Sequence, residues 1–555
     1  MKKVLSILLI TVLCAAFVTG CAETHTTDTE SVTDTDVSQT ATETETETET
    51  ETEEETTEEI TEPEVTEDLE AMNAEPAASF TVSKVFSNDM VIQRDEYIRI
   101  WGWADESENG KRVEAEFSGL HGADVIEDGR WLITLGGTLP ANTEGQTLRV
   151  FAAEGAEYTY ENVLVGDVYW VIGQSNIAYP VASIKGEPLA SAEGRNVEIS
   201  DDMMIRLYKA GMDDLGNKVV KGSNDVSEDV VNARGWKKPK AGASSFTAIG
   251  YFTAVNMYNG LDRSLPIGMI EFDAGGCALH AFLPNEVRDA LKVSKADKNG
   301  IYSAAGSNQH ESSFMYNNRI YSFQNMPIKG IIWYQGESDC GSANKNNTQY
   351  ANRFTAMITY FRDQHAQINH DYPVYIVELP PIYMAFDYAR VRMNMGTIPQ
   401  LLKNAHICSS ADTWKDKKYE NNLHPYNKWE VSQRMAKIIL ANDYGIGDLD
   451  YEEGPVPVSC ELSEDGLTAT VTFDHVGDGL TTFEGGEIKG VKTMCSGGGK
   501  LESVSITGKN ALTVTATSKI TAVMYNSTIE ESFPETLTLC SSSGVPCSSF
   551  RLNIN

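Results

Sequence analysis

The run from Val163 to Ile172 constrains the fold most: it is apolar apart from Gly166 and Asp167, and it opens directly into Gly173-Gln174-Ser175-Asn176. A near-continuous apolar run of this length, closed by a turn, reads as a strand buried on both faces of a parallel sheet. Two later runs have the same form. Leu265–Phe272 opens into Asp273-Ala274-Gly275-Gly276, and Ile328–Tyr334 opens into Gln335-Gly336-Glu337-Ser338. In an open α/β sheet the reacting groups gather beyond the carboxyl ends of the strands, so these loops are the first place to look for chemistry. A serine in such a turn is more often a turn former or a helix cap. Its company gives Ser175 weight as a nucleophile, because His424 stands in the polar loop Asn421-Asn422-Leu423-His424-Pro425, just before the helical pattern Lys428–Leu440.

The rest of the chain divides by periodicity. From Phe80 to about Glu161, short alternating segments such as Tyr97–Trp101, Arg130–Leu135 and Thr147–Phe151 are separated by Gly, Asn and Asp turns, as expected of a small β-sandwich. Residues 162–446 alternate buried strands with helical stretches, for instance Phe354–Phe361 before Pro373–Val377, which predicts a parallel sheet covered by helices on both faces. After Gly454-Pro455 the alternation returns in Leu467–Phe473 and Leu512–Ala516, marking a second β-module over 447–555.

The N-terminus reads as an export signal. Lys2 and Lys3 precede an apolar stretch from Val4 to Val18, and Val18-Thr19-Gly20-Cys21 resembles a lipobox, so residues 1–20 are expected to be removed and Cys21 lipidated. Residues 22–76 hold 21 Asp and Glu with no Lys or Arg, including a Thr-Glu repeat from Thr42 to Glu53. Such a segment cannot bury enough apolar area to offset its ordering entropy, so 21–77 is expected to be a disordered acidic tether. The expected location is the bacterial cell surface, with membrane contact only through the lipid.

Removing those 21 charges and the two signal lysines from the formal −36 leaves −17 for the remainder. That balance argues against nucleic acid as a partner, since phosphate binding needs a cationic footprint. There is no zinc-like Cys or His spacing, Gly-rich phosphate loop or dinucleotide fingerprint, and no cofactor or metal is expected. Seven cysteines lie beyond the anchor: Cys277, Cys340, Cys408, Cys460, Cys495, Cys540 and Cys547. An odd number excludes complete intramolecular pairing.

Together these motifs resemble the sialate O-acetylesterase family of SGNH-type carbohydrate esterases. The resemblance runs from about Phe80 to Arg551 and rests on Ser87–Arg94 with Trp101-Gly102-Trp103, Gly173–Asn176, Pro266-Ile267-Gly268 with Gly275-Gly276, Trp333–Ser338, and His424-Pro425-Tyr426-Asn427-Lys428. It implies an SGNH-hydrolase-like three-layer α/β/α parallel sheet flanked by N-terminal and C-terminal β-sandwich modules. It also implies a serine esterase whose substrate is an acetylated carbohydrate, either 9-O-acetylated sialic acid or acetyl-decorated polysaccharide.

Ester hydrolysis needs a nucleophile, a base and donors for the oxyanion. By the resemblance these are Ser175, His424, and the backbone of Ser175 with Gly275 or Gly276 and the side-chain amide of Gln335. A histidine base makes activity fall on acidification as imidazole is protonated, and a flat rate between pH 5 and 8 would count against it. Asn176, Glu337 and His280 are expected beside the substrate, Glu337 also holding its loop. Related enzymes often carry Asp three residues before the histidine, where this chain has Asn421. Glu337, Asp412, Asp416 and Glu420 are the alternative acids, with Asp412 leading because it follows the apolar run Ala405–Cys408. A non-catalytic glycan-binding surface lipoprotein that keeps the fold is the competing reading, and Asn421 is the argument for it.

Overall fold

In a computed structural model of the chain, the apolar run at Val163–Ile172 lies within strand β1, Glu157–Gly173. The structure describes residues 69–186, 192–210, 225–293, 311–340, 349–365, 367–382, 388–413, 423–528, 533 and 535–554. The signal, the anchor cysteine and nearly all of the acidic segment therefore lie outside the described residues.

Five more strands join β1: β2 (Ile205–Lys209), β3 (Ile267–Asp273), β4 (Gly330–Tyr334), β5 (Val374–Val377) and β6 (Ala405–Cys408). All pair parallel, in the order β2-β3-β1-β4-β5-β6. The sheet is fully covered because both faces of its strands are apolar. Trp170 and Trp333 point to one face, where Phe361 and Phe354 of α2 (Tyr350–Gln364) meet them edge-on at 6.2 and 5.2 Å. Val171 points to the other face and lies under Gly250 of α1 (Ala248–Gly260). On that side α3 (Lys428–Tyr444) packs along α1, with Trp429 against Phe252 at 5.4 Å. Truncating a buried Trp170 would cost about 3–5 kcal/mol. The three-layer α/β architecture expected from the sequence is present.

The ends of α3 follow local chemistry. Asn427 accepts the amide of Glu430 at 3.3 Å as N-cap, and Gly445, at φ +64°, ends the helix in the left-handed region.

The N-terminal module consists of two sheets. One contains Thr81–Val82, Arg99–Trp103 and Arg130–Thr134; the other contains Val91–Gln93, Arg112–Phe117, Leu120–Val125, Asn142–Phe151 and the first half of β1. The boundary expected at residue 161 thus falls inside one continuous strand. A single apolar core runs from Phe80 through the α/β layers to Leu440, whereas the C-terminal strands from Val456 to Asn553 enclose a core of their own.

Within the shared core, one polar cluster ties the N-terminal module to β1. Buried Asp167 on β1 receives Arg94 Nε and Nη2 at 3.0 and 3.1 Å, Gln93 Nε2 at 3.0 Å and Tyr444 Oη at 2.7 Å. The Oε1 of Gln93 accepts the Val168 amide at 2.8 Å. Gln93-Arg94 therefore braces the strand that carries the serine turn, since a buried carboxylate with four donors is held where a lone one would be expelled.

All seven cysteines outside the N-terminal segment are unbridged, and Cys277, Cys340, Cys408, Cys540 and Cys547 are buried.

Candidate active site

Three adjacent strand ends build the site. With β3 and β4 on either side of β1, the chain reverses its winding direction at β1, and the crevice of an open α/β sheet opens at such a place. The turn after β1 is pinned from both sides: Ala274 N–H donates to Gly173 O at 3.2 Å, and Gln174 N–H donates to Tyr334 O at 3.3 Å. A side chain at 173 would collide with the Tyr334 carbonyl, so glycine is required for this approach.

Ser175 begins the one-turn helix Ser175–Ala178 and is partly exposed, while its neighbours Gln174 and Asn176 are fully buried. Gly275 faces it across the crevice. A Cβ on Gly275 would lie 3.9 Å from Ser175 Cβ, so the glycine backbone borders Ser175 directly. Gly276 follows with φ +75°, a conformation that turns the chain away and suits glycine.

The His424 loop is tied to the serine helix by Asn176 Nδ2, which donates to the carbonyl of Leu423 at 3.1 Å. The Tyr179 ring lies 6.1 Å from the imidazole, tilted by 31°. Desolvation, with a smaller contribution from the Lys428 charge, lowers the imidazole pKa to about 4. The neutral imidazole needed to take a proton therefore persists well below neutral pH.

Four expected site residues are buried: Gln335, Glu337, Asn176 and His280. The Gln335 side chain is buried, and its Nε2 is surrounded by Asp339 Oδ2 at 2.7 Å, Cys277 O at 3.0 Å and Gln174 Oε1 at 3.1 Å, while its Oε1 accepts Tyr350 Oη at 3.0 Å. An amide has two hydrogens, and here both are directed at protein acceptors. In this geometry Gln335 fixes the turn after β4, with its amide turned to protein acceptors. The polarity of β4's end fixes the amide's orientation, because only a donor satisfies three acceptors. Glu337 and Asn176 are likewise fully buried and hydrogen-bonded to each other, so they brace the site where substrate contact was expected. His280 is buried beside Asp339 in the short helix Leu279–Phe282.

Both oxygens of Asp412 are engaged by Arg434 of α3, at 2.9 Å from Nη1 and 2.7 Å from Nη2, so this carboxylate is already paired with a cation. Asp416, Glu420 and Asn421 fall in 414–422, outside the described residues.

The sequence reading missed Lys428. Its Nζ donates to Asn176 Oδ1, and burial lowers its pKa to about 7 against the raising effect of Glu337. Glu337 is displaced the other way by burial, up to about 7. The available signal was a lysine at the first position of a helix whose face is otherwise apolar, next to an asparagine cap.

Residues 165–441 match the family described as carbohydrate esterase, sialic acid-specific acetylesterase. The chain belongs to this family of carbohydrate acetylesterases. Human sialate O-acetylesterase is 25% identical over 418 residues, a match covering 69% of this chain and 74% of the human one. The rat enzyme of the same description is 24% identical over 404 residues, covering 62% and 69%. In fold, the esterase resembles a carbohydrate acetylesterase from Xanthomonas citri, with a TM-score of 0.68 and 23% identity over 86% of this chain and 100% of that one. The matched region begins inside β1 and ends inside α3, so it contains the serine turn, both glycines and the histidine loop.

Proposed function

We propose that this carbohydrate acetylesterase works by serine acyl transfer, with Ser175 as nucleophile and His424 as base, on O-acetyl groups of sialic acid or of an acetylated polysaccharide. The juxtaposition of the Ser175 turn, the Gly275 backbone and the histidine loop at the end of β1 carries the reading.

In the first step the Ser175 hydroxyl adds to the acetyl carbonyl as His424 takes its proton. The oxyanion is stabilised by backbone N–H groups of Ser175 and of Gly275 or Gly276, which border the position where it forms. Collapse breaks the bond to the sugar oxygen, and the imidazolium returns its proton to that leaving oxygen. Water, deprotonated by His424, then releases acetate and restores the serine. Gln335, Glu337 and Asn176 hold the loops that bring these groups together.

The esterase is proposed to act at the bacterial surface, held by a lipid on Cys21 through the acidic tether. Among the described residues no helix is long and apolar enough to cross a membrane.

Acetate release from O-acetylated sialic acid and from acetylated xylan, by the parent and by Ser175→Ala, tests the reading. Release by the parent alone is expected. Equal release by both would remove Ser175 from the reaction, and no release by the parent would favour a glycan-binding protein that keeps the fold.

A further inference from the structure

A carboxylate is buried where three strand-end turns meet. Asp339 is 1% exposed and ends the single helical turn Glu337–Asp339 that follows β4. Gly336 makes this inward course possible: its φ is +149°, its carbonyl accepts the Asp339 amide at 2.9 Å, and a side chain there would collide with Met395. Burying a carboxylate is unfavourable unless donors meet it. Those that meet Asp339 come from two different turns. Its Oδ2 accepts the Leu279 amide at 2.9 Å and Gln335 Nε2 at 2.7 Å.

Through Gln335 that one oxygen reaches every turn that borders Ser175. Gln335 Nε2 also lies 3.0 Å from Cys277 O, in the turn after β3, and 3.1 Å from Gln174 Oε1, in the turn after β1. Gln174 Oε1 accepts the Ser338 amide at 3.1 Å as well. Gly275 and Gly276 are therefore held from both ends. On the β3 side, Ala274 N–H donates to Gly173 O at 3.2 Å, and buried Arg319 donates from Nη1 to Asp273 O at 2.6 Å. On the far side, Cys277 and Leu279 are fixed by Gln335 and Asp339. Two successive glycines have no side chains to hold them, so their N–H groups stay aimed only while these flanking bonds last. Without the Asp339 acceptor, Gln335 loses its shortest bond, and a half-turn of its amide would set an oxygen against Cys277 O and Gln174 Oε1.

We propose that Asp339 is a positioning residue for the Gly275-Gly276 turn: as acceptor for Leu279 and Gln335 it keeps the glycine N–H groups directed at the oxyanion that forms on Ser175. The inference rests on the Ser175 reading. Asp339 transfers no proton in this role. What the position requires is an oxygen that accepts two hydrogen bonds, which asparagine supplies and leucine does not.

The test compares the parent with Asp339→Leu and Asp339→Asn, by kcat and KM for an aryl acetate well below each protein's melting temperature. Inhibition by phenylboronic acid is measured alongside, because it adds to an activated serine and presents an oxygen where the oxyanion forms. For Asp339→Leu, kcat is expected to fall by about a hundredfold with KM within about threefold of the parent, and the boronic acid should bind more weakly by a factor similar to the loss in kcat/KM. Asp339→Asn keeps an oxygen facing both donors and should stay within about fivefold of the parent in kcat. A folded Asp339→Leu with the parent's kcat overturns the proposal. So does a loss of kcat with boronic acid binding unchanged, since the glycine turn is then undisturbed, and so does an Asp339→Asn as impaired as the leucine variant, since charge would then be what matters. If Asp339→Leu does not fold, Asp339→Ser, too short to reach both donors, is judged by the same results. Failure of the Ser175 reading is separate: the parent would then be indifferent to the boronic acid, and Ser175→Ala would keep its activity.

Discussion

Asn176 Nδ2 donates to the backbone carbonyl of Leu423 at 3.1 Å, so the residue after Ser175 is bonded to the residue before His424, the proposed nucleophile and base. Two loops 247 positions apart are thereby fixed at one spacing. Replacing Asn176 by Ala removes that bond and the partner of both Lys428 and Glu337. We expect kcat to fall by about a hundredfold, the order that a small misplacement of reacting groups costs. An unchanged kcat in the purified variant would show that the tie does not position the pair.

Gln335→Ala separates a bracing amide from an oxyanion donor. Its loss leaves Asp339, Cys277 O and Gln174 without this donor inside the protein, at about 1–3 kcal/mol. Thermal or denaturant unfolding should therefore shift along with activity. A hundredfold loss of kcat with an unshifted melt would instead return Gln335 to the oxyanion.

For Asp412→Asn the expectation is reversed from that of a triad acid. The Arg434 pair is broken, with a stability cost of about 2–3 kcal/mol, while kcat stays within a few-fold of the parent. Stable protein with a loss of several hundredfold in kcat would make Asp412 the acid after all.

The pH profile follows from the burial of His424. The sequence alone implies a decline between pH 8 and 5. With the imidazole pKa lowered to about 4, chiefly by desolvation and then by Lys428, the competent neutral form is retained as pH falls. The expected kcat/KM is flat from pH 8 to about 5, with the fall centred near 4. A midpoint near 6.5 would mean that the folded protein does not shift this histidine.

The C-terminal module should be required for folding. Ser549 N–H donates to buried Glu378 at the end of β5 at 2.8 Å, Arg392 pairs with Asn526, and Gly396 lies so close to Ser549 O that an alanine there would collide. A chain ending at residue 454 exposes these groups and should aggregate or melt at lower temperature than the full chain. A stable, active truncation would show that the second core is dispensable. Separately, Cys21→Ala should move the full-length protein from the membrane fraction to the soluble one; continued retention would mean a different anchor.

The strands were legible because buried parallel strands are written as uninterrupted apolar runs. The runs containing Trp170, Ile270 and Ile332 each emerged as a strand ending within two residues of its expected end. The module boundary at 161 was not legible, since β1 is alternating where it belongs to the N-terminal sheet and continuous where it enters the core, and a change of environment within one strand looks like a change of domain. At the site, the residue types were readable and their directions were not. Gln335 and Glu337 lie in the polar loop that the sequence marks as functional, yet their side chains turn inward to satisfy buried groups, which only three-dimensional partners reveal. Asp412 was attractive by position and was already engaged by an arginine 22 residues on.

The most direct test of the central claim is to identify the serine that reacts. The esterase is incubated with a fluorophosphonate, which phosphonylates an activated serine and stays attached, and the modified peptide is located by mass spectrometry alongside loss of acetate release. The account predicts a single adduct on Ser175, formed in step with inactivation and absent in His424→Ala over the same time. Inactivation with the adduct on another residue, or full labelling of Ser175 without loss of acetate release, would contradict it.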